Sequence, residues 1–294
     1  MIIAVPLADE HPRVALAPLL TQATSDLSAA GVASPRVDAE VLAAHVLRVG
    51  RGRLALIDRI RPAEAERLAD LVARRAARIP LQHLTGTAAF RHLELAVGDG
   101  VFVPRPETEL LAGWGIARVT PGATVVDLCS GTGAIALSVA GESAAGRVIA
   151  VERSPAALDY LRRNAHGTRV EVVAGDVTDP GLLADLAGRV DVVLCNPPYV
   201  PAGTAVPPEV SGHDPAEAVF GGADGLAVIR PVIALAARLL RPGGVAGIEH
   251  DDGHAAAVPG LLRADGRFTA VEEHADLAGR PRFATARRMA DCSS

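Results

Sequence analysis

Residues 123–199, ATVVDLCSGTGAIALSVAGESAAGRVIAVERSPAALDYLRRNAHGTRVEVVAGDVTDPGLLADLAGRVDVVLCNPPY, decide the fold. ATVVDL (123–128), RVIAVE (147–152), RVEVVAGD (169–176) and VDVVLCNPP (190–198) carry Val, Ile and Leu on successive positions rather than alternate ones. Strands of that kind are buried on both faces, as in a parallel sheet covered by helices. Between them GAIALSVA (133–140), SPAALDYLRRNA (154–165) and DPGLLADLAG (179–188) read as helices, so strand and helix alternate. Downstream, LAVIRPVIALAARLL, GGVAGIEH, AAAVPGLLRA, FTAVEEH and RFATARR add two helices and up to three strands. The expected architecture is α/β, with a mostly parallel, Rossmann-like sheet.

Upstream the pattern differs. Residues 1–85 read as helices only, over roughly 16–30, 36–48 and 62–78, with Pro35 and Pro62 at helix starts where a missing N–H costs nothing. This stretch holds 11 Arg against 9 acidic residues, whereas the remainder holds 18 against 25. The reading is a small helical bundle (1–85) followed by a second domain (86–294). The alternation from His92 to Val97, with Gly98-Asp99-Gly100 as its turn, predicts a hairpin at the joint. A helix should follow Pro106, with Glu107 and Glu109 in its first turn.

Composition narrows the function. Of 294 residues 49% are hydrophobic and 21% charged, which suits a folded core. All 29 basic residues are arginine, so lysine chemistry is excluded, including P-loop phosphate binding and Schiff bases. Aromatics make up 3%, and the formal charge is -5, a poor endowment for a general nucleic-acid coat. Cys129, Cys195 and Cys292 are far apart in sequence and never form CxxC, so neither a disulfide framework, a zinc site nor another metal site is expected. The N-terminal run MIIAVPLADEHPR does not read as a secretory signal, and a cytoplasmic location is expected.

Four signals carry chemistry. Asp127-Leu128-Cys129-Ser130-Gly131-Thr132-Gly133-Ala134 joins a strand to a helix, where small residues and free N–H groups admit a ligand. It also fits GxGxxA through Gly131, Gly133 and Ala136, so a nicotinamide dinucleotide stays open. Glu152, 19 residues past Gly133, can accept hydrogen bonds from ribose hydroxyls, or be an ordinary strand-end acid. Asp176 can hold an adenine amino group while Val177 packs on the ring, or simply cap the next helix. Asn196-Pro197-Pro198-Tyr199 sets the class. Its prolines remove donors and fix the backbone, so the Asn196 oxygen and the Pro197 carbonyl can each accept one hydrogen of a planar NH2 group while Tyr199 stacks on it.

DLCSGTG, VER, GD and NPPY, in this order, resemble the class I S-adenosylmethionine-dependent methyltransferases that act on planar nitrogens. PLQHLTGTAAFRHLELAVGDGVFVPRPETELL (80–111), HDPAEAVFGGADGL (213–226) and the helical N-terminal part narrow the resemblance to the release factor glutamine methyltransferases, the HemK or PrmC family. The resemblance implies S-adenosyl-L-methionine as cofactor, held by Cys129, Ser130, Gly131, Thr132, Gly133, Glu152 and Val177, with Asp176 and Asn196 beside it. It implies a glutamine side chain bound by Asn196, Pro197, Pro198 and Tyr199, and release factors as protein partners. Cys129 stands where many members have glycine, and slightly altered cofactor binding is expected. PRPE at 104–107 favours this branch over the ribosomal-protein glutamine methyltransferases. An adenine-N6 methyltransferase is the alternative, since it also presents a planar NH2. Residues 200–222 read either as a lid or as a rigid surface loop.

Overall fold

The computed structural model describes residues 12–290; Cys292 and most of the N-terminal run lie outside the described residues. The chain divides into two compact units, one ending at Gly86 and one starting at Thr87.

The first unit is built on α1 (Leu16–Ala29), α2 (Pro35–Leu47), α3 (Pro62–Ala76) and the short α4 (Leu81–Thr85). Leu20, Leu27, Leu42, Leu68 and Val72 meet in its core. Pro35 and Pro62 each occupy the first turn of a helix. One buried ion pair ties α3 to α2, with Arg75 Nε donating to Asp38 Oδ2 at 2.8 Å. The all-helical expectation needs one correction. Val14–Ala15 (β1) pairs antiparallel with Arg59–Ile60 (β2). The pairing lets Leu16 N donate to Asp58 O at 2.9 Å, and the Arg59 guanidinium donates to Arg13 O.

The second unit opens with a hairpin of β3 (Thr87–Phe90) and β4 (Leu93–Ala96). Its turn is Arg91-His92, not Gly98-Asp99-Gly100. Arg91 takes a left-handed φ of 52°. It is held there because its amide donates to Glu109 Oε1 at 3.0 Å and its guanidinium forms a two-pronged pair with Glu142 at 2.8 and 2.6 Å. A reading of turn glycines had no access to those distant partners. Next come α5 (Thr108–Ile116), β5 (Thr124–Leu128), α6 (Ala134–Glu142), β6 (Arg147–Glu152), α7 (Pro155–Ala165), β7 (Val170–Ala174) and β8 (Val190–Cys195). The helix expected over 179–188 shrinks to one 3-10 turn, Ala184–Leu186. Asp179 Oδ1 accepts from Gly181 N at 2.8 Å, and Leu183 is left-handed at φ 51°; both interrupt a helix there. The chain continues through α8 (Pro208–His213), α9 (Ala216–Val219), α10 (Ile229–Leu239), β9 (Leu240–Glu249), α11 (Ala257–Ala264), β10 (Phe268–Ala275) and β11 (Pro281–Arg288).

The fold is α/β: seven strands form one mostly parallel sheet in the order β10-β11-β9-β8-β5-β6-β7, and only β11 runs against the others, antiparallel to β9 and β10 on either side. Successive residues of β5 face opposite layers. Val126 and Leu128 pack with Ile229, Val232 and Val258 from α10 and α11, while Val125 packs with Leu111, Ile135 and Leu158 from α5, α6 and α7. Two apolar faces per strand are why these runs do not alternate. Because β6 and β7 lie on one side of β5 and β8 on the other, the strand order reverses between β5 and β8. Ligands of open parallel sheets bind in the crevice at that point.

Candidate active site

At the carboxyl ends of β5, β6, β7 and β8 lies a cavity of about 400 Å³. Cys129, Ser130, Gly131, Thr132, Glu152, Asp176, Val177, Asn196, Pro197, Pro198 and Tyr199 all line it. They come from four strand ends that are up to 70 residues apart in sequence. Gly133 does not line it. Its φ of 87° starts α6, and an added Cβ would stand 2.6 Å from Leu161 Cδ1, so this glycine lets the helix close on α7.

The wall on the β5 and β6 side is mostly backbone. Cys129 and Gly131 both have positive φ, 57° and 56°. Ser130 N donates to Val151 O at 2.9 Å and Gly131 N to Glu152 Oε2 at 2.8 Å. Glu152 Oε1 accepts from Arg153 N and Ser154 N, both at 2.8 Å. A carboxylate has about four acceptor positions, so Glu152, with three taken, leaves one on Oε2 for a ribose hydroxyl rather than two. Asp176 Oδ1 accepts from the Thr178 amide and hydroxyl at 2.8 Å, which holds the carboxyl below its usual range; Oδ2 meets only Arg153, at 3.3 Å. Under the loop, Asp127 is 1% exposed, with Ala136 N donating to its Oδ2 at 3.1 Å, and burial pushes its carboxyl up to about 7.

The other wall is held by side chains. Asn196 Nδ2 donates to Thr108 Oγ1 at 3.1 Å, which leaves Asn196 Oδ1 as the acceptor. Tyr199 donates its hydroxyl to Glu249 Oε1 at 3.2 Å. Glu249, at the end of β9, is 1% exposed, and burial pushes its carboxyl up to about 7 against the hydrogen bonds from Thr108 and Tyr199. Burial also raises the Tyr199 phenol, so it stays a donor. Behind the turn, a Cβ on Gly221 would stand 2.5 Å from the Pro198 carbonyl oxygen, and one on Gly225 would overlap that of Tyr199. The GGADG run therefore permits backbone to pack on backbone. Thr108, Glu249, Gly221 and Gly225 were not singled out from sequence. Thr108 and the glycines lie within the PRPET and GGADG runs, but nothing near Glu249 signalled a role.

The segment of residues 200–222 contributes to the lining of the cavity. Val200 bridges to Phe220, and Val206, Pro207, Val210 and Val219 face inward. Two ion pairs fasten it: Arg105 to the buried Asp214 at 2.7 Å, and Arg153 to Glu217 at 3.3 Å.

This wall suits S-adenosylmethionine. A strand-end acid with a free lone pair, a second acid and the apolar Val177 next to it along the chain match a ribose and a flat base, and the size falls in the small-ligand range.

Residues 18–86 match the family model described as PrmC N-terminal domain, and residues 109–210 match that of the methyltransferase small domain. A release factor glutamine methyltransferase of Mycolicibacterium smegmatis is 58% identical over 91% of this chain and 96% of its own. A 4-amino-L-phenylalanine/4-methylamino-L-phenylalanine methyltransferase of Streptomyces pristinaespiralis is 41% identical over 86% of this chain and 89% of its own. Among solved structures, the T. thermophilus 16S rRNA N2 G1207 methyltransferase in complex with AdoMet and guanosine has a TM-score of 0.50 at 24% identity, covering 69% of this chain and 49% of that one; it shows the fold.

Proposed function

The chain belongs to the release factor glutamine methyltransferase family, and from that premise we propose that it methylates the side-chain nitrogen of the glutamine in the GGQ loop of a peptide chain release factor. It is an S-adenosylmethionine-dependent methyltransferase. One observation carries the substrate reading: Asn196 is locked by Thr108 with its oxygen left to accept, next to the Pro197 carbonyl, beside the cofactor wall.

A glutamine nitrogen is a weak nucleophile because its lone pair is delocalised into the carbonyl. Hydrogen bonds from its NH2 to Asn196 Oδ1 and Pro197 O raise its electron density and fix its direction. Tyr199, tethered by Glu249, presents its ring to the amide plane. Bound S-adenosylmethionine supplies an electrophilic methyl on a positively charged sulfur. Cys129 to Thr132, Glu152, Asp176 and Val177 hold it at the neighbouring strand ends. The work of the chain is positioning and electrostatics, and the nitrogen loses its extra proton to water afterwards.

The helical unit, with its slight excess of arginine, serves as the docking surface for the factor. Among the described residues no helix is long and apolar enough to cross a membrane, and the enzyme works in the cytoplasm on a protein rather than on nucleic acid. The test is incubation with purified release factor and labelled S-adenosylmethionine beside DNA, a ribosomal-protein fraction and 4-aminophenylalanine. Label on the GGQ glutamine supports the proposal; label only on another substrate overturns it. Deleting residues 1–85 should cut activity on the intact factor at least about tenfold while a short GGQ peptide is still methylated, the loss expected when docking energy is removed. Undiminished activity on the factor would refute the docking role.

A further inference from the structure

Cys129 and Cys195 are 66 residues apart, yet the sheet makes them neighbours. Leu128 of β5 pairs with Cys195 of β8, so Cys129, the next residue along the chain, emerges beside Cys195 at the shared carboxyl ends of two strands whose spacing in a sheet is about 5 Å. Both side chains belong to the same apolar cluster. Their surroundings differ. Cys195 is 0% exposed, at the foot of the turn that carries Asn196. Cys129 lines the cavity and is half-buried, in a left-handed backbone conformation (φ 57°) that is uncommon outside glycine. One cysteine lines the cavity, where a small solute can enter, and the other is buried in the cluster that the first packs against, which suits an attacking and a resolving thiol.

We propose that Cys129 and Cys195 form a reversible redox switch within the cofactor cavity, in which peroxide links them as a disulfide and the linked form loses its hold on S-adenosylmethionine. The gating half rests on the cofactor reading above. Hydrogen peroxide transfers one oxygen to the Cys129 sulfur, giving a sulfenic acid and one water. The Cys195 sulfur attacks that sulfur, the S–S bond forms, and the hydroxyl leaves with the Cys195 proton as a second water. Two thiols are oxidised and one peroxide is reduced. A dithiol reverses the bond by exchange. Closure to an S–S length near 2.05 Å draws Cys129 toward β8. The attached loop is tied to Glu152 through Gly131 N, so the amides and the carboxylate of the cofactor wall shift relative to each other.

The full chain, reduced, is first titrated with S-adenosylmethionine by calorimetry. Absence of binding overturns the cofactor reading and the gating with it, while the linkage is judged separately from peptide masses. After peroxide, digestion without reductant should yield one cross-linked peptide joining the Cys129 and Cys195 segments, 2 mass units below their sum. Cofactor affinity should fall at least about tenfold and recover with dithiothreitol. Saturating cofactor should slow the linkage. Cys195→Ala should bind the cofactor when reduced and keep its affinity after peroxide, and Cys292→Ser should behave as the parent. A link through Cys292, affinity loss without the link, or a complete link with affinity unchanged would each overturn the proposal.

Discussion

The two walls of the cavity are held by different means. On the β5 and β6 side, main-chain amides of Gly131, Arg153 and Ser154 converge on one carboxylate, Glu152, and two residues adopt positive φ. On the β8 side, a relay of side chains, Asn196 to Thr108 and Tyr199 to Glu249, backs the turn from inside the protein. A backbone cradle tolerates many side chains as long as the turn survives. A side-chain relay depends on the identity of each member, and its buried polar groups are costly when one partner is removed.

The sharpest way to break this contrast is Asn196→Ala. Turnover should fall about 10²–10³-fold, the loss typical of removing a group that acts on the reacting atoms, while cofactor affinity measured by calorimetry changes less than about threefold. Equal losses in both would erase the distinction between the walls. Glu152→Ala should do the reverse. Charged hydrogen bonds contribute roughly 1.5–3 kcal/mol each, so cofactor affinity should drop about 10- to 100-fold. Saturating cofactor should then restore most of the turnover.

Glu249 sharpens the picture of the relay. Glu249→Gln keeps a hydrogen-bonding group and should hold kcat within about threefold, whereas Glu249→Leu should lose about tenfold. Its carboxyl rises from 4.5 to about 7 on folding, so between those values the native state keeps a proton that the unfolded chain releases. Stability from this group is therefore fully present below about pH 4.5 and is lost as pH rises to 7, by a few kcal/mol at most. Asp127 acts in the same direction. Urea unfolding at pH 5 and pH 7 should show a smaller drop in the Gln variant than in the parent; an identical drop would mean that Glu249 does not titrate there. The smallest effect is expected at Cys129→Gly. Relief of a left-handed φ, less the extra chain entropy of glycine, should raise stability by about 1 kcal/mol. Thermal melting reads this, and a lowered Tm would contradict it.

Local signals were enough where the chain's own neighbours set the structure. The runs of Val and Ile in β5, β6 and β8, the small residues after β5 and the prolines after β8 act within a few residues. They picked out residues that line both sides of the cavity. They failed where a distant group decides. The hairpin turns at Arg91 because Glu109 and Glu142 hold it. The helix expected at 179–188 gives way to Asp179 and a left-handed Leu183. Gly133, placed with the cofactor from its motif, serves the packing of α6 on α7.

The sequence by itself determined the α/β alternation and the family, because periodicity and turn chemistry are short-range properties. Tertiary structure alone decided that Thr108 and Glu249 stand behind Asn196 and Tyr199, and that Cys129 and Cys195 share one apolar cluster at the ends of neighbouring strands. Those contacts follow from the order of strands in the sheet, which puts β8 beside β5 although two helices and two strands separate them along the chain.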